Sequence, residues 1–363
     1  MAKLHTPLCD RLGIRLPIIQ APMPSASTPA LVAAVSNAGA LGSFGFNPIQ
    51  PEAMLREAEA VRAQTRLPFN LNLFVSKQPA EIAVAAQRGA LDAVAGYYKD
   101  FGLPPPQPVR APYAPDLEAQ LRAIEEIRPA VFTFHLGDLL QERVRRIQAL
   151  GVKVGGSANC IAEARHLEAL GVDFIIAQGA EAGGHRGSYL RDPYESMTGT
   201  LALVRMIVRN VKIPVAAAGG IMDGAGIAAV LALGAQAAWL GTAFVPCPES
   251  GASRQHKQSV LNSKEDATVV TEKFTGKPAR VISNRFIREM EERGAPRLAF
   301  PAQNAVTRPL RAAAAKAGDP DFVALYAGQA APLSRALPAA ELVAALEAET
   351  LEALDRLAAL RSQ

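Results

Sequence analysis

The sequence predicts an α/β fold, a (β/α)8 TIM barrel in which eight parallel strands alternate with helices around a closed ring. Eight short apolar runs recur between residues 17 and 244. Most of these runs are continuous rather than alternating, as is typical of parallel strands that are buried on both faces. Segments with helical spacing lie between them. The even count of strands favours a closed barrel over an open doubly wound sheet, which is the alternative for the same pattern.

Each predicted strand is bounded by glycine or proline. In chain order the strands cover residues 17–21, 40–44, 69–74, 130–135, 152–158, 173–179, 214–220 and 237–244. Helical spacing predicts helices over residues 28–38, 51–66, 139–150, 161–170 and 223–233. The first of these helices begins with a Thr-Pro start signal, and the last three end directly before a glycine, which commonly terminates a helix.

Two segments do not follow the simple repeat. Residues 77–129 are too long for one crossover and predict an insertion after the third strand, and their proline-rich piece 103–115 predicts an extended surface segment. Beyond residue 245 the alternation stops, and an amphipathic helix is predicted over residues 338–360. We therefore expect a barrel of residues 1–245 that carries the insertion, and a helical extension of residues 246–363 that packs on the barrel and closes the substrate pocket.

The composition is that of an ordinary globular enzyme, with 49% hydrophobic and 20% charged residues. The net charge of +4 comes without a long block of one sign, so neither nucleic-acid nor membrane binding is indicated. Cys9, Cys160 and Cys247 are far apart and lack the spacing of metal ligands, which predicts reduced thiols, a cytoplasmic location and no metal. We expect neither a signal peptide nor a transmembrane segment.

Glycines stand where the last two predicted strands end. Gly219 and Gly220 end strand seven, and Gly241 and Thr242 interrupt strand eight. In TIM barrels the loops after these two strands are the usual phosphate site, because glycine lets backbone amides approach phosphate oxygens closely. A tight turn without a ligand is the alternative for either pair alone. The two pairs together predict a phosphate anchor.

Uncharged amide and apolar side chains stand where other strands end. Strand one ends in the QAPM segment at 20–23, strand three carries Asn70 and Asn72, and strand six ends at Gln178. Amide side chains both donate and accept hydrogen bonds, as the edges of a flavin ring require, and apolar groups suit its faces. Each amide alone is more often structural. Their convergence beside a phosphate anchor predicts flavin mononucleotide (FMN) as the cofactor.

Two of the five histidines lie at predicted strand ends. His185 follows two glycines in the loop after strand six, and His135 ends strand four. Imidazole takes up a proton near neutral pH, which suits abstraction of an acidic C–H, or holds an anion when it is charged. A structural histidine is the alternative. In the same loop we expect Glu181 to cap the loop rather than to orient His185, and Arg186 to be solvated at the surface or to help neutralise an anionic substrate.

Several segments resemble the nitronate monooxygenases, also called 2-nitropropane dioxygenases. The matching segments lie at residues 20–23, 28–45, 68–74, 177–187, 214–244 and 326–333, and AGGHRG at 182–187 is the most specific of them. The resemblance implies a TIM barrel that binds FMN without a metal. It implies that His185 is the catalytic histidine and His135 a second active-site histidine. Together with the strand ends described above, it gives as predicted FMN contacts Ala21, Pro22, Met23, Asn72, Gln178, Gly183, Gly184, Gly219, Gly220, Trp239, Leu240, Gly241 and Thr242.

The activity implied by the resemblance is FMN-dependent oxidation of alkyl nitronates by O2 to carbonyl compounds and nitrite, with nitroalkanes as candidate further substrates. An NADH-dependent FMN reductase on the same fold, either a quinone reductase or a FabK-like enoyl-acyl-carrier-protein reductase, is the alternative. A phosphate-binding isomerase or lyase is a third option, and a homodimer is left open. The sequence departs from the family pattern at Trp239, His256, Phe300, Asn304 and Arg308.

Overall fold

Eight parallel strands form a closed ring in the computed structural model, which describes residues 4–360. The strands are β1 (Ile18–Gln20), β2 (Gly42–Gly45), β3 (Phe69–Phe74), β4 (Val131–His135), β5 (Lys153–Ala158), β6 (Phe174–Gln178), β7 (Val215–Ala218) and β8 (Ala237–Leu240). Each strand from β2 onward pairs with the next, β8 pairs with β1, and a bridge between Ile19 and Leu41 joins β1 to β2. The predicted TIM barrel is confirmed.

Helices flank the strands and continue into the C-terminal segment. They are α1 (Pro7–Leu12), α2 (Pro29–Asn37), α3 (Pro51–Arg62), α4 (Val84–Asp100), α5 (Leu117–Ile127), α6 (Gln141–Gln148), α7 (Ile161–Leu170), α8 (Thr200–Val208), α9 (Gly224–Ala232), α10 (Arg254–Leu261), α11 (Arg285–Glu292), α12 (Ala302–Ala317) and α13 (Ala339–Ala359). The predicted helices α2, α3, α6, α7, α9 and α13 are present with ends shifted by a few residues at most. Helix α8 was not among those predicted.

Local signals explain where the barrel helices begin and end. The Thr28 hydroxyl accepts a hydrogen bond from the Leu31 N–H at 3.0 Å, which satisfies one of the free amides at the start of α2. Helix α7 ends at Gly171, whose φ of +87° is readily adopted by glycine alone. The barrel interior is filled by inward side chains of alternate strand positions, including Phe174, Ile176 and Trp239.

The insertion and the C-terminal extension share a hydrophobic core that is separate from the barrel core. Val94 and Tyr98 of α4 pack with Phe286 of α11 and with Val306 of α12. The Tyr98 hydroxyl also donates to the Val306 carbonyl at 2.5 Å. By contrast, α13 packs on the barrel, with Leu342, Val343 and Leu346 in the core between strands and helices. The proposed division at residue 245 stays a prediction, since the two segments are interlocked.

The extension is not purely helical, which corrects the sequence-based prediction. Strands β9 (Thr268–Thr271) and β10 (Ala279–Ile282) pair in antiparallel register, with Val269 opposite Val281. Both strands contain β-branched residues, which favour a pleated, half-buried surface. The two-residue strand Gly184–His185 adds a third strand to this sheet, with His185 opposite Ala279. The loop after β6 that carries His185, here called the histidine loop, is therefore held by backbone pairing with the extension.

No helix within residues 4–360 is long and apolar enough to cross a membrane. In the same part of the chain no three or more His, Cys, Asp or Glu side chains cluster in a way that could hold a metal ion.

Candidate active site

A cavity of about 520 Å³ lies at the carboxyl ends of the barrel strands, within the range usual for small-molecule sites. Its floor and walls come from the barrel, and its opposite side comes from the extension. The cavity lining includes twelve of the predicted cofactor contacts and both histidines: Ala21, Pro22, Met23, Asn72, His135, Gln178, Gly183, Gly184, His185, Gly219, Gly220, Trp239, Gly241 and Thr242.

Leu240 does not line the cavity, which corrects that prediction. Its side chain is fully buried in the layer between the strands and the helices. Successive side chains of a strand point to opposite faces, so Trp239 faces the barrel interior and Leu240 faces outward. The Leu240 carbonyl is also occupied, because it accepts a hydrogen bond from the Ala21 N–H at 2.8 Å.

Two of the four amide side chains proposed from the strand ends are buried beneath the cavity. Asn70 donates to the Ser43 and Thr133 hydroxyls at 3.1 and 3.0 Å. Gln20 accepts from the Ser43 N–H at 2.8 Å. Neither lines the cavity, and both link neighbouring barrel strands. Asn72 does line it: its Nδ2 donates to the Thr133 hydroxyl at 2.9 Å, while its Oδ1 has no hydrogen-bond partner within residues 4–360.

Gln178 supports the histidine loop rather than standing free. Its Nε2 donates to the His185 carbonyl at 2.9 Å, and its Oε1 accepts from the Gly187 N–H at 2.9 Å. Asn159 donates to the same Oε1 at 2.8 Å. The amide therefore fixes the loop backbone on both sides of Arg186, and it reaches the cavity from a position that is already held in place.

The His185 ring lies in an aromatic enclosure. Its centroid is 5.6 Å from those of Phe74, Phe300 and Tyr326. Burial, with smaller contributions from His135 and nearby cations, lowers the pKa of His185 to about 3. The imidazole is therefore neutral at ordinary pH. Its Nε2 lies 2.9 Å from the hydroxyl oxygen of Thr275, a residue of the extension.

Both ring nitrogens of His135 are engaged. Its Nε2 lies 3.1 Å from the His185 carbonyl oxygen, which only accepts, so this nitrogen carries the proton. Its Nδ1 then accepts from the Ser157 hydroxyl at 2.5 Å. Burial lowers the pKa of His135 to about 4, which leaves the ring neutral. His135 thus holds the backbone of His185, whereas its predicted catalytic role stays a prediction.

The glycines after β7 and β8 present unpaired backbone donors. Gly219 and Gly220 have φ angles of +123° and +69°. The N–H groups of Gly220 and Gly241 have no acceptor among the residues that the structure describes. The Thr242 hydroxyl accepts from the Gly328 N–H at 2.9 Å, so its own hydrogen stays available for donation. Unpaired amides and a free hydroxyl hydrogen are a donor set that fits a phosphate.

The lining contains arginine but no aspartate or glutamate within the described chain. Arg308 and Arg311 lie on one face of α12, three residues apart. Arg311 donates to Asn304 Oδ1 at 2.5 Å, while its buried Nε has no partner within residues 4–360. Two guanidinium groups without a carboxylate favour an anionic ligand.

The structure gives different outcomes for the two other residues of the histidine loop, Glu181 and Arg186. Glu181 accepts from the Thr200 N–H and hydroxyl at 2.8 and 2.7 Å, so it caps the start of α8, where its loop ends, and it has no hydrogen bond to His185 in the described chain. Arg186 is neither solvated nor part of the cavity lining. It is fully buried and donates to the Gly179 and Ser196 carbonyls at 2.6 and 2.8 Å. The guanidinium braces the loop because buried carbonyls need donors.

Sequence reasoning missed several lining residues, most of them on the extension. Thr275 carried no local signal, and Tyr326 lay in a resembling segment without an assigned role. Tyr113 belongs to the proline-rich piece, which was expected at the surface but reaches the cavity. The departures at His256, Phe300, Asn304 and Arg308 also line it. The Nε2 of His256 donates to the Tyr326 carbonyl at 2.8 Å. No hydrogen bond joins the His256 ring to another side chain in the described chain.

Comparison with known proteins identifies the family. The sequence model of the family described as nitronate monooxygenase matches residues 5–349. The chain belongs to the nitronate monooxygenase family. It is 42% identical to the nitronate monooxygenase of Paraburkholderia phytofirmans over 96% of both chains. It is 43% identical to that of Pseudomonas aeruginosa, over 93% of this chain and 97% of the other.

Solved structures agree with this membership of the nitronate monooxygenase family. Nitroalkane oxidase from Streptomyces ansochromogenes has a TM-score of 0.89 and 40% identity, over 96% of this chain and 99% of the other. FabK from Thermotoga maritima is more distant, with a TM-score of 0.78 and 30% identity over 98% and 99%. Members of the family are flavin-dependent oxidoreductases, and the donor set of the cavity fits a flavin phosphate.

Proposed function

We propose that this protein binds FMN and oxidises alkyl nitronates with O2 to carbonyl compounds and nitrite. The observation that carries the proposal is the cavity lining, which combines unpaired glycine amides, two guanidinium groups and a neutral histidine without any described carboxylate. The amides suit the cofactor phosphate, and the guanidinium groups suit an anionic substrate such as a nitronate.

The barrel residues at the strand ends would hold FMN. Gly220, Gly241 and Thr242 would donate to its phosphate, and Met23 and Asn72 would contact the ring. Asn72 would accept a ring N–H through its Oδ1, which is the atom without a partner in the described chain. When bound, FMN accepts electrons from the nitronate and passes them to oxygen.

The protein's own part is to bind and orient an electron-rich anion in a dry site. Arg308 and Arg311 would hold the anionic end, and the rings of Phe74, Phe300 and Tyr326 exclude water around His185. Exclusion of water strengthens each of these interactions. The substrate is thereby held beside the cofactor without a covalent bond to the protein.

Nitronates are favoured over neutral nitroalkanes as substrates. A nitroalkane must first lose its Cα proton, and His185 is the predicted base. With a pKa near 3, the free imidazole is a weak base. A nitronate needs no such step, because it is already deprotonated. We therefore propose nitronates as main substrates and nitroalkanes as slower ones.

Anaerobic mixing of the purified, FMN-loaded protein with ethyl nitronate and, separately, with NADH tests this function. We expect the nitronate to remove the absorbance of the oxidised flavin and NADH to leave it unchanged, and we expect nitrite in aerobic reactions. Rapid bleaching by NADH without a reaction of the nitronate would establish the reductase alternative, which the likeness to FabK supports. A protein that purifies colourless and takes up no FMN would refute both.

We also propose a cytoplasmic location and leave a homodimer as a prediction. Cys9, Cys160 and Cys247 are all unpaired thiols, as is usual in reducing compartments. Light scattering of the purified protein would measure the oligomeric state directly.

A further inference from the structure

Thr275 is a buried residue whose hydroxyl contacts the His185 ring from the extension. It lies between β9 and β10, is 2% exposed, and lines the same cavity as His185. Its Oγ1 is 2.9 Å from His185 Nε2 and 3.2 Å from the Lys277 carbonyl oxygen. A hydroxyl has one hydrogen, so these two contacts cannot both be donated by Thr275.

The Lys277 carbonyl determines which of the two contacts the Thr275 hydroxyl donates to. Lys277 O only accepts, and Thr275 is its donor, so the hydroxyl hydrogen belongs to that bond. The hydroxyl oxygen must then accept from His185, which places a proton on Nε2. In the reverse arrangement the Lys277 carbonyl would lose its donor. The proton on His185 Nδ1 would also have no acceptor within residues 4–360, so the reverse arrangement makes one hydrogen bond fewer.

We infer that Thr275 is a positioning residue that holds His185 in the Nε2–H tautomer and leaves the Nδ1 lone pair as the proton acceptor of the site. The partner of one ring nitrogen sets the protonation of the other. This inference rests on the proposed function and adds to it the atom that takes the proton. When a neutral nitroalkane reacts, its Cα–H bond breaks, the electron pair stays on the substrate as the nitronate, and the proton goes to Nδ1.

The tautomer is measured by two-bond 1H–15N correlation spectra of FMN-loaded protein labelled with 15N-histidine. The His185 signals are assigned by their loss in His185→Gln. We expect a protonated Nε2 and an unprotonated Nδ1 in the wild type and in Thr275→Ser, which keeps the hydroxyl. Thr275→Val is nearly isosteric but lacks the hydroxyl, and we expect it to show averaging between the two tautomers.

Kinetics add a second readout. Thr275→Val is expected to lower the ratio of kcat/KM for nitroethane to that for ethyl nitronate by at least about tenfold, because only the neutral substrate needs a base. Thr275→Ser should leave the ratio unchanged. A wild-type spectrum with the proton on Nδ1, or a Thr275→Val protein with unchanged spectrum and ratio, would overturn the inference. If Thr275→Val does not fold, the wild-type spectrum decides alone. If neither substrate yields nitrite, the proposed function fails, while the spectrum still reports the tautomer.

Discussion

Replacement of Gly220 by alanine should weaken FMN binding without abolishing it. Gly220 has a φ of +69°, and a Cβ built there would lie 3.2 Å from Glu181 Cβ. A left-handed conformation costs an L-residue roughly 1–2 kcal/mol. We expect the chain to relax from it and turn the unpaired N–H away from the phosphate. Restoring the conformation on binding would weaken the affinity by about 5- to 30-fold, since about 1.4 kcal/mol corresponds to tenfold.

Gly151→Ala is the matched control for this prediction. Gly151 has a φ of +85°, a Cβ there would contact nothing within 4 Å, and the residue lies between α6 and β5, outside the cavity lining. Titration of the apoprotein with FMN, followed by quenching of flavin fluorescence, gives Kd for both variants. We expect both to lose stability and Gly220→Ala alone to lose affinity. An unchanged Kd for Gly220→Ala, or equal weakening in Gly151→Ala, would refute the phosphate anchor.

Three further results are expected. His185→Asn should keep FMN and lose about 10²-fold or more of its kcat/KM for nitroethane, with a smaller loss for ethyl nitronate. Equal losses for the two substrates in steady-state nitrite assays would exclude His185 as the base. Arg308→Ala should raise KM for ethyl nitronate more than it lowers kcat, and an unchanged KM would exclude Arg308 from substrate binding. Because folding lowers the pKa values of His135 and His185 to about 4 and 3, the unfolded chain binds more protons below about pH 6.5. The free energy of unfolding, measured by urea denaturation, should then fall as the pH drops from 7 to 5, with a shallower slope in His135→Asn. A free energy that does not change over this pH range would contradict burial of the two histidine rings in the neutral form.

The barrel could be predicted from sequence because its signals are local. Each strand is a short apolar run, and each helix from α2 to α9 that was predicted begins or ends at a recognisable residue such as Thr28 or Gly171. The strands β9 and β10 were missed because they lie in a segment read as helical, beyond the alternation of apolar runs that marks the barrel. The pairing of β10 with Gly184–His185 joins parts of the chain about a hundred residues apart, and no local pattern encodes that contact.

The cavity residues that could be predicted from sequence are those at the ends of the barrel strands. The glycine pairs and both histidines lie at the cavity because the carboxyl ends of parallel strands meet on one side of a barrel. Leu240 was misplaced because the prediction followed the segment 239–242 as a whole, whereas alternate side chains of a strand face opposite sides. Asn70 shares its face of β3 with Asn72, yet it lies deeper in the barrel, where its amide is used by Ser43 and Thr133.

The environment of His185 shows that the extension forms part of the candidate site rather than merely covering it. The barrel fixes the backbone of this residue, since Gln178 and His135 both donate to its carbonyl. The extension fixes its ring, through Thr275 at Nε2 and through Phe300 and Tyr326 beside it. A histidine held only by the barrel loop could rotate and exchange tautomers. Because we infer that the second set of contacts decides which nitrogen is free, we expect changes in the extension to alter proton transfer while the proposed flavin site of the barrel is preserved.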